Sequence, residues 1–152
     1  MDDSFRVFLS RAMKYCSRKE VCVSEISEKL KIWGVEDEQT SEKIIEQLIE
    51  EKFIDEQRFA DAFTMDKFKF YNWGKTKIKY HLKRKKISEK IIQNSLAKIL
   101  DDQYIDAAAA LLEKKAASIK NIEPKIKKQK LYNYLISKGF EPDIFYKIFD
   151  KI

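Results

Sequence analysis

The sequence predicts an all-α protein made of three tandem three-helix repeats that form an elongated curved array. Apolar residues recur at helical spacing almost throughout the 152 residues, and no segment has the sustained two-residue alternation expected of strands. Only three glycines and two prolines interrupt the chain. An apolar fraction of 44% is ample for a core, which excludes a chain that is disordered throughout.

Start and stop signals divide the chain into nine helices. Polar side chains suited to N-caps are Ser24, Ser41, Asp55, Ser88 and Asp101. Pro124 and Pro142 suit a first helical turn, and Gly34 and Gly139 suit the left-handed position that follows a helix. The predicted helices therefore cover roughly 3–19, 24–33, 41–52, 55–71, 74–86, 88–99, 101–119, 124–138 and 142–151.

The nine helices are three copies of one unit. The segment LKRKKISEKII at 82–92 aligns without gaps with LISKGFEPDIF at 135–145, and 30–45 repeats the pattern with five extra residues. The unit starts at 54–57 and 100–103 also match, with residues 1–3 as a weaker third instance. The predicted repeats are therefore 1–53, 54–99 and 100–152. Such units bury apolar faces within themselves and against their neighbours.

Residues 67–86 hold nine Lys or Arg and no Asp or Glu, and aromatic residues are interleaved with these charges. The second repeat carries 12 basic and 5 acidic side chains, against 9 and 12 in the first and 10 and 8 in the third. A run of like charge repels itself, which indicates a polyanion or an acidic protein surface as partner. The alternative is a lysine-rich helix face that contacts only solvent.

The predicted helix 74–86 displays much of this charge. Ile78 and Leu82 form its inward stripe. Beside the stripe, at helical spacing, lie Lys75, Lys79, Lys83 and Lys86. Lys77 and Arg84 fall on the opposite side of the helix. For Trp73, just before the helix, the residues favour core packing over contact with a partner.

Several function classes are excluded by the residues. The chain has no phosphate-binding loop and no nucleophile–base set, so we expect neither catalysis nor a nucleotide or other cofactor. Cys16, Cys22 and His81 are too few for a zinc site. No apolar stretch reaches the roughly 18 residues of a membrane span, and the N-terminus lacks a signal peptide. We therefore expect a cytoplasmic protein that acts by binding.

Three segments together resemble a known family. They are 24–30 before Trp33 and Gly34, the sequence IDEQRFA at 54–60, and Trp73-Gly74-Lys75 followed by Ile78 and Leu82. In this order and spacing the chain resembles the RecX regulatory proteins of bacteria over nearly its whole length. The most specific part of the match is the block 55–88.

The resemblance implies a modulator of the RecA recombinase. RecX-like proteins bind RecA and its filaments on single-stranded DNA, lie in the filament groove, and usually inhibit the ATPase, strand-exchange and coprotease activities. The expected partners are thus RecA and its filament, with weak direct DNA binding and a monomeric chain. The cations predicted to contact partner or DNA are Arg58, Lys75, Lys77, Lys79, Lys83, Arg84 and Lys86.

By resemblance, the family signature is carried by Asp55, Arg58, Phe59, Ala60 and Gly74. We expect Asp55 to cap the fourth helix and Phe59 and Ala60 to pack in the core. Arg58 either pairs with a neighbouring carboxylate or faces the partner.

Two positions depart from the family pattern. Lys86 stands where the pattern generally has glycine, so the sequence leaves open whether this turn is built like those at Gly34 and Gly139. The five extra residues at 36–40 add negative charge, and we expect them to form a turn. The alternative functions are a nucleic-acid-binding helical module that acts without RecA, or a structural adaptor.

Overall fold

The structure is a computed structural model that describes residues 3–151, and within this range it contains nine α-helices and no strand. The helices are α1 (Asp3–Arg18), α2 (Val23–Ile32), α3 (Glu38–Glu50), α4 (Glu56–Tyr71), α5 (Lys75–Arg84), α6 (Glu89–Leu96), α7 (Asp101–Ser118), α8 (Pro124–Ser137) and α9 (Pro142–Phe149). This confirms the all-helical prediction. Met1 and Asp2, from the weaker third unit start, lie outside the described residues.

Two predicted N-caps are confirmed. The carboxylate of Asp55 accepts a hydrogen bond from the backbone N–H of Arg58 at 3.0 Å, and the hydroxyl of Ser88 accepts one from Ile91 at 3.4 Å. These bonds satisfy amides that have no partner inside their own helices. Pro124 and Pro142 also lie in first helical turns, as predicted.

Three predicted N-caps are wrong. The N-cap of α2 is Cys22, whose backbone N–H donates to the Glu25 carboxylate at 3.3 Å, and Ser24 is the second residue of the helix. The N-cap of α7 is Leu100. Asp101 is instead the first helical residue, where its charge suits the positive end of the helix dipole.

The helix α3 begins three residues earlier than predicted. Its N-cap is Asp37, which accepts hydrogen bonds from the backbone of Gln39 at 3.2 Å and from the hydroxyl of Thr40 at 2.7 Å. Ser41 therefore lies inside the helix. Part of the extra segment extends α3 instead of forming a turn, because Asp37 supplies a capping carboxylate before Ser41 is reached.

The middle helix of each repeat ends in the same type of turn. Gly34, Lys86 and Gly139 have φ of 106°, 63° and 97°. The residue after each donates its backbone N–H to the carbonyl of Leu30, Leu82 or Leu135, at 2.9, 3.2 and 3.2 Å. The turn at Lys86 is thus built like the other two, although a lysine adopts this conformation at a cost of about 1–2 kcal/mol.

Each helix packs mainly against the other two helices of its own repeat. The chain is therefore a tandem array of three units, α1–α3, α4–α6 and α7–α9. The first repeat has its own apolar core, built around Ile26, Leu30, Ile44 and Leu48. The second and third repeats share one continuous core. Phe59 and Ala60 are buried in that shared core, and both cysteines are free and buried.

Among the described residues, no helix combines the length and the apolar character that crossing a membrane requires.

Candidate partner and nucleic-acid interface

The start of α5 is locked against the end of α8. The backbone N–H of Gly74 donates to the carbonyl of Lys138 at 2.7 Å, and that of Thr76 donates to Gly139 at 3.0 Å. A Cβ atom on Gly74 would lie 2.4 Å from backbone atoms of Gly139 and Phe140. Only glycine permits this approach, which gives a structural reason for glycine at position 74, a predicted signature residue.

Tyr104 of α7 completes this junction between the second and third repeats. Its hydroxyl accepts a hydrogen bond from the backbone N–H of Lys75 at 2.9 Å and donates one to Glu141. Its ring stacks on Phe140, with centroids 5.0 Å apart. Burial, followed by the bond to Glu141, raises the pKa of Tyr104 well above its usual value. The phenol therefore stays neutral, and α5 is held in one orientation.

Ion pairs join the first repeat to the second. The Nε atom of Arg58 lies 2.7 Å from Glu20, and the Nζ atom of Lys85 lies 2.8 Å from Glu25. Arg58 also donates to the carbonyl of Lys52 at 3.3 Å. Of the two alternatives left open for Arg58, its side chain adopts the pair with a neighbouring carboxylate. Its contact with a partner stays a prediction.

The predicted stripe of four lysines on α5 is partly neutralised by the chain itself. The Nζ atoms of Lys79 and Lys83 lie 3.1 and 3.5 Å from the carboxylate of Glu89 in α6. Hydrogen bonds from Gln93 and Lys79 lower the pKa of Glu89 to about 2, so this carboxylate is charged at neutral pH. Two lysines thus share one negative charge.

The other two stripe lysines remain cationic at the surface. Lys75 places its ammonium 4.9 Å from the ring centroid of Tyr104, and Lys86 is exposed. Within residues 3–151 neither forms an ion pair.

Rings and cations form a continuous series that runs from the end of α4 across the side of α5 opposite its stripe. We call this series the aromatic–cation ladder, and its members are Lys67, Tyr71, Trp73, Lys77, Tyr80, His81 and Arg84. The ammonium of Lys67 lies 4.1 Å from the ring centroid of Tyr71, and that of Lys77 lies 4.7 Å from Trp73. The ring of His81 lies 4.6 Å from that of Trp73, and the two planes are tilted by 34°. The rings of Tyr80 and His81 are 5.3 Å apart, and Arg84 lies 5.8 Å from Tyr80.

The ladder is accessible and carries unneutralised charge. Tyr71 and Tyr80 are 51% and 56% exposed. In the part of the chain that is described, Lys67, Lys77 and Arg84 form no ion pair. Such a surface attracts polyanions and offers rings for stacking.

His81 enters the ladder as a neutral ring. Burial, then the charges of Lys77, Arg84 and Lys67, lower the pKa of His81 below its ordinary value of 6.5. The neighbouring Trp73 packs against the core, as the sequence favoured, while its ring also contacts Lys77.

Two cationic features escaped the sequence analysis. The first is the ladder, which brings together residues of α4, the break at 72–74 and α5. Helical periodicity does not predict contacts between residues of different helices. Residues 114–130 hold seven lysines and one acidic residue, and none of these lysines forms an ion pair among the described residues. The near balance of the third repeat conceals this segment, and a charge count over short windows would have found it.

Comparison with known proteins gives the family of this fold. The model of the second three-helix domain of RecX matches residues 55–96, and that of the third three-helix domain matches 101–149. The chain belongs to the RecX family. The regulatory protein RecX of Clostridium tetani is 36% identical over 141 residues, covering 91% of this chain and 64% of that protein. The corresponding protein of Clostridium perfringens strain 13 is 32% identical, with coverages of 93% and 66%. The chain spans less than two thirds of the length of these relatives.

Crystal structures of RecX proteins have the same arrangement of helices. The structure of RecX from Lactobacillus salivarius superposes with a TM-score of 0.90 at 24% identity, covering 99% of this chain and 97% of that one. A second structure of regulatory protein RecX also gives a TM-score of 0.90, at 26% identity, covering 97% of this chain and 74% of the other. The tandem three-helix repeats are therefore the fold of the RecX family.

Proposed function

We propose that this protein is a regulator that binds RecA and its filaments on single-stranded DNA and modulates, in the inhibitory direction, the ATPase, recombinase and coprotease activities. It acts in the cytoplasm as a monomer, by occupying a surface and not by catalysis. The proposal is supported by membership of the RecX family, whose relatives carry the name of regulatory protein.

The observation that carries the proposal is the cationic surface of α5. Four of its predicted contact residues have no ion pair among residues 3–151: Lys75, Lys77, Arg84 and Lys86. The Gly74 junction holds the start of this helix against the end of α8, which fixes the orientation of the backbone from which its cationic side chains project. A rigid, positively charged helix is suited to a long nucleoprotein groove, where charge steers the encounter and a broad surface supplies affinity.

The test is the ATPase activity of RecA on single-stranded DNA, measured with increasing amounts of this protein. We expect inhibition that saturates. The triple variant Lys77→Gln, Arg84→Gln and Lys86→Gln should need about tenfold more protein for half-inhibition, with a shallower dependence on salt, because fewer ion pairs form with the filament.

A matched control removes the same charge elsewhere. The variant Lys125→Gln, Lys128→Gln and Lys130→Gln loses three lysines of α8, all exposed. It should inhibit like the parent. Equal weakening by both triple variants would mean that net charge alone acts and would contradict the site. Absence of any effect of the parent on RecA would contradict the function.

A further inference from the structure

We propose that the two ion pairs between the first and second repeats are an autoinhibitory contact that opens when the filament binds. In the closed joint, Glu20 and Glu25 of the first repeat hold Arg58 and Lys85 of the second. An anionic surface of the filament takes the place of these carboxylates, and the first repeat tilts away. This inference rests on the proposed function and adds to it a regulation by the protein's own conformation.

The weakness of the two ion pairs is the first step of the argument. The pairs join atoms 2.7 and 2.8 Å apart, so both are formed in the closed joint. The side chains of Arg58 and Glu20 are 44% and 32% exposed, and those of Lys85 and Glu25 are 32% and 28% exposed. Water and salt therefore reach both pairs, and partly exposed pairs contribute little to stability. A competing anion can displace either carboxylate.

Little apolar packing holds the joint closed. Among the described residues, only Cys22 of the first repeat is buried in the core of the other two repeats. Single hydrogen bonds add to this contact, from the Ser24 hydroxyl to the carbonyl of Lys85 at 2.8 Å and from the backbone N–H of Val23 to the carboxylate of Glu56 at 3.0 Å. Units that share so small a contact move relative to one another. The first repeat can therefore tilt about Cys22 without exposing a large apolar surface.

Two clefts beside the joint give the first repeat room to move. One has a volume of about 700 Å³ and lies between α2 and α5. The other, of about 390 Å³, lies where the first repeat faces α4 and α6. The larger cleft is lined by Arg84 and Lys86, which form no ion pair among residues 3–151. Opening this cleft widens the approach to two predicted contact residues.

Opening also adds to the positive charge that the second repeat presents. Lys85 lies between Arg84 and Lys86, so its release completes a run of three consecutive unpaired cations. Arg58, a predicted contact residue, is released by the same movement. The carboxylate pair and the partner contact that the sequence left open for Arg58 are thus two states of one joint. The open state attracts an anionic partner more strongly than the closed state.

The test removes the two carboxylate charges in the variant Glu20→Gln and Glu25→Gln. In the RecA ATPase titration at one fixed salt concentration, it should reach half-inhibition with about fivefold less protein than the parent, because the filament no longer has to open the joint. The matched control is Glu28→Gln and Glu46→Gln. It removes two exposed carboxylates of the first repeat that form no ion pair within the described residues. This control should inhibit like the parent.

A second variant separates the released charge from the loosened joint. Arg58→Gln with Lys85→Gln breaks the same two ion pairs but leaves no cation to release. It should inhibit no better than the parent. A gain equal to that of the carboxylate variant would mean that loosening alone acts, and it would contradict the role of Arg58 and Lys85.

The state of the joint is measured without RecA. Nitroxide labels attached after Lys43→Cys in α3 and Gln129→Cys in α8, both exposed positions, report the distance between the first and third repeats by double electron–electron resonance. The native cysteines are buried, so labelling is directed to the introduced ones. The distance distribution should be broader in the carboxylate variant than in the parent, and the matched control should resemble the parent. If circular dichroism finds the carboxylate variant unfolded, Glu25→Gln alone replaces it, with a smaller change in the same direction.

The autoinhibitory contact is refuted if the carboxylate variant inhibits no better than the parent, or if its distance distribution is unchanged. If the parent itself has no effect on RecA, the proposed function fails, and the label distances still decide whether the two carboxylates hold the joint. If the parent inhibits RecA and the carboxylate variant gains nothing, the inference about the joint fails alone.

Discussion

The two junctions between repeats share one geometry but use different chemical groups. In each, the start of a middle helix meets the carbonyl at the end of the next repeat's middle helix. At the α5–α8 junction the backbone N–H of Gly74 donates to Lys138 directly, at 2.7 Å. At the α2–α5 junction the hydroxyl of Ser24 donates to Lys85, at 2.8 Å. Cys22 holds the position of Gly74 in the repeat alignment, and its side chain separates the two backbones.

A second pair of contacts repeats this difference. The first backbone N–H of α5, from Lys75, donates to the phenol of Tyr104 at 2.9 Å, whereas the equivalent N–H of Val23 donates to the carboxylate of Glu56 at 3.0 Å. The third repeat therefore shares a core with the second and is joined to it mainly through backbone and neutral groups, with one ammonium, that of Lys138, donating to the carbonyl of Tyr71 at 3.0 Å. The first repeat has its own core except for Cys22, which is buried in the core of the other two repeats, and its other contacts with the second repeat are made largely by charged side chains. Repeats of one fold can thus form a rigid joint and a salt-sensitive joint.

Among the variants that test this difference between the two joints, Gly74→Ala should lose the most stability. The added methyl group collides with the backbone of Gly139 and Phe140, so we expect the free energy of unfolding to fall by about 3 kcal/mol. Urea unfolding followed by circular dichroism measures it.

The control for this change is Gly34→Ala. Nothing lies within 4 Å of a Cβ at Gly34, so only the strain of its φ of 106° remains, about 1–2 kcal/mol. If both variants lose the same stability, close packing at Gly74 is not what holds the second joint.

Removing the charge of Glu20 should have a smaller effect, confined to the first joint. Glu20→Gln removes the charge from the partly exposed ion pair with Arg58, so we expect a loss of about 0.5–1 kcal/mol at low salt and less at high salt. Hydrogen exchange should show faster opening near the ends of α1 and α4. The matched variant Glu28→Gln replaces an exposed carboxylate that has no ion pair among the described residues. It should change nothing, and a salt-independent loss in Glu20→Gln would refute an ionic joint.

The smallest effect should be the titration of His81, the chain's single histidine. Its pKa in the folded state lies below the ordinary 6.5, so the unfolded chain takes up the proton first as pH falls. Stability should therefore be unaffected well above pH 6.5 and should decline as the pH falls through and below 6.5.

The variant His81→Gln isolates this contribution. Its unfolding free energy should change less over the same pH interval, as measured by urea titrations at each pH. A slope identical to that of the parent would mean that the histidine is not held among the charges of Lys67, Lys77 and Arg84.

Much of the fold could be predicted from local sequence, because helix periodicity, caps and glycine turns act within a few residues of each other. Asp55, Ser88 and Gly139 each fulfil their predicted role. The errors at Ser24 and Ser41 arose where another residue could cap the same helix, and there the tertiary position of the chain decides. Only part of the candidate site could be predicted from the sequence. Lys79 and Lys83 were predicted to be free cations, whereas in the structure both form ion pairs with Glu89 of the next helix.

The sequence by itself determined the number and order of the helices, the threefold repeat, the concentration of charge in the second repeat and the family. Each of these depends on residues close together in the chain or on their order. The tertiary structure alone decided which lysines keep their charge, why position 74 must be glycine, and that Lys67, Trp73 and Arg84 belong to one surface. Those properties depend on distances between residues of different helices, which spacing along a single chain does not specify.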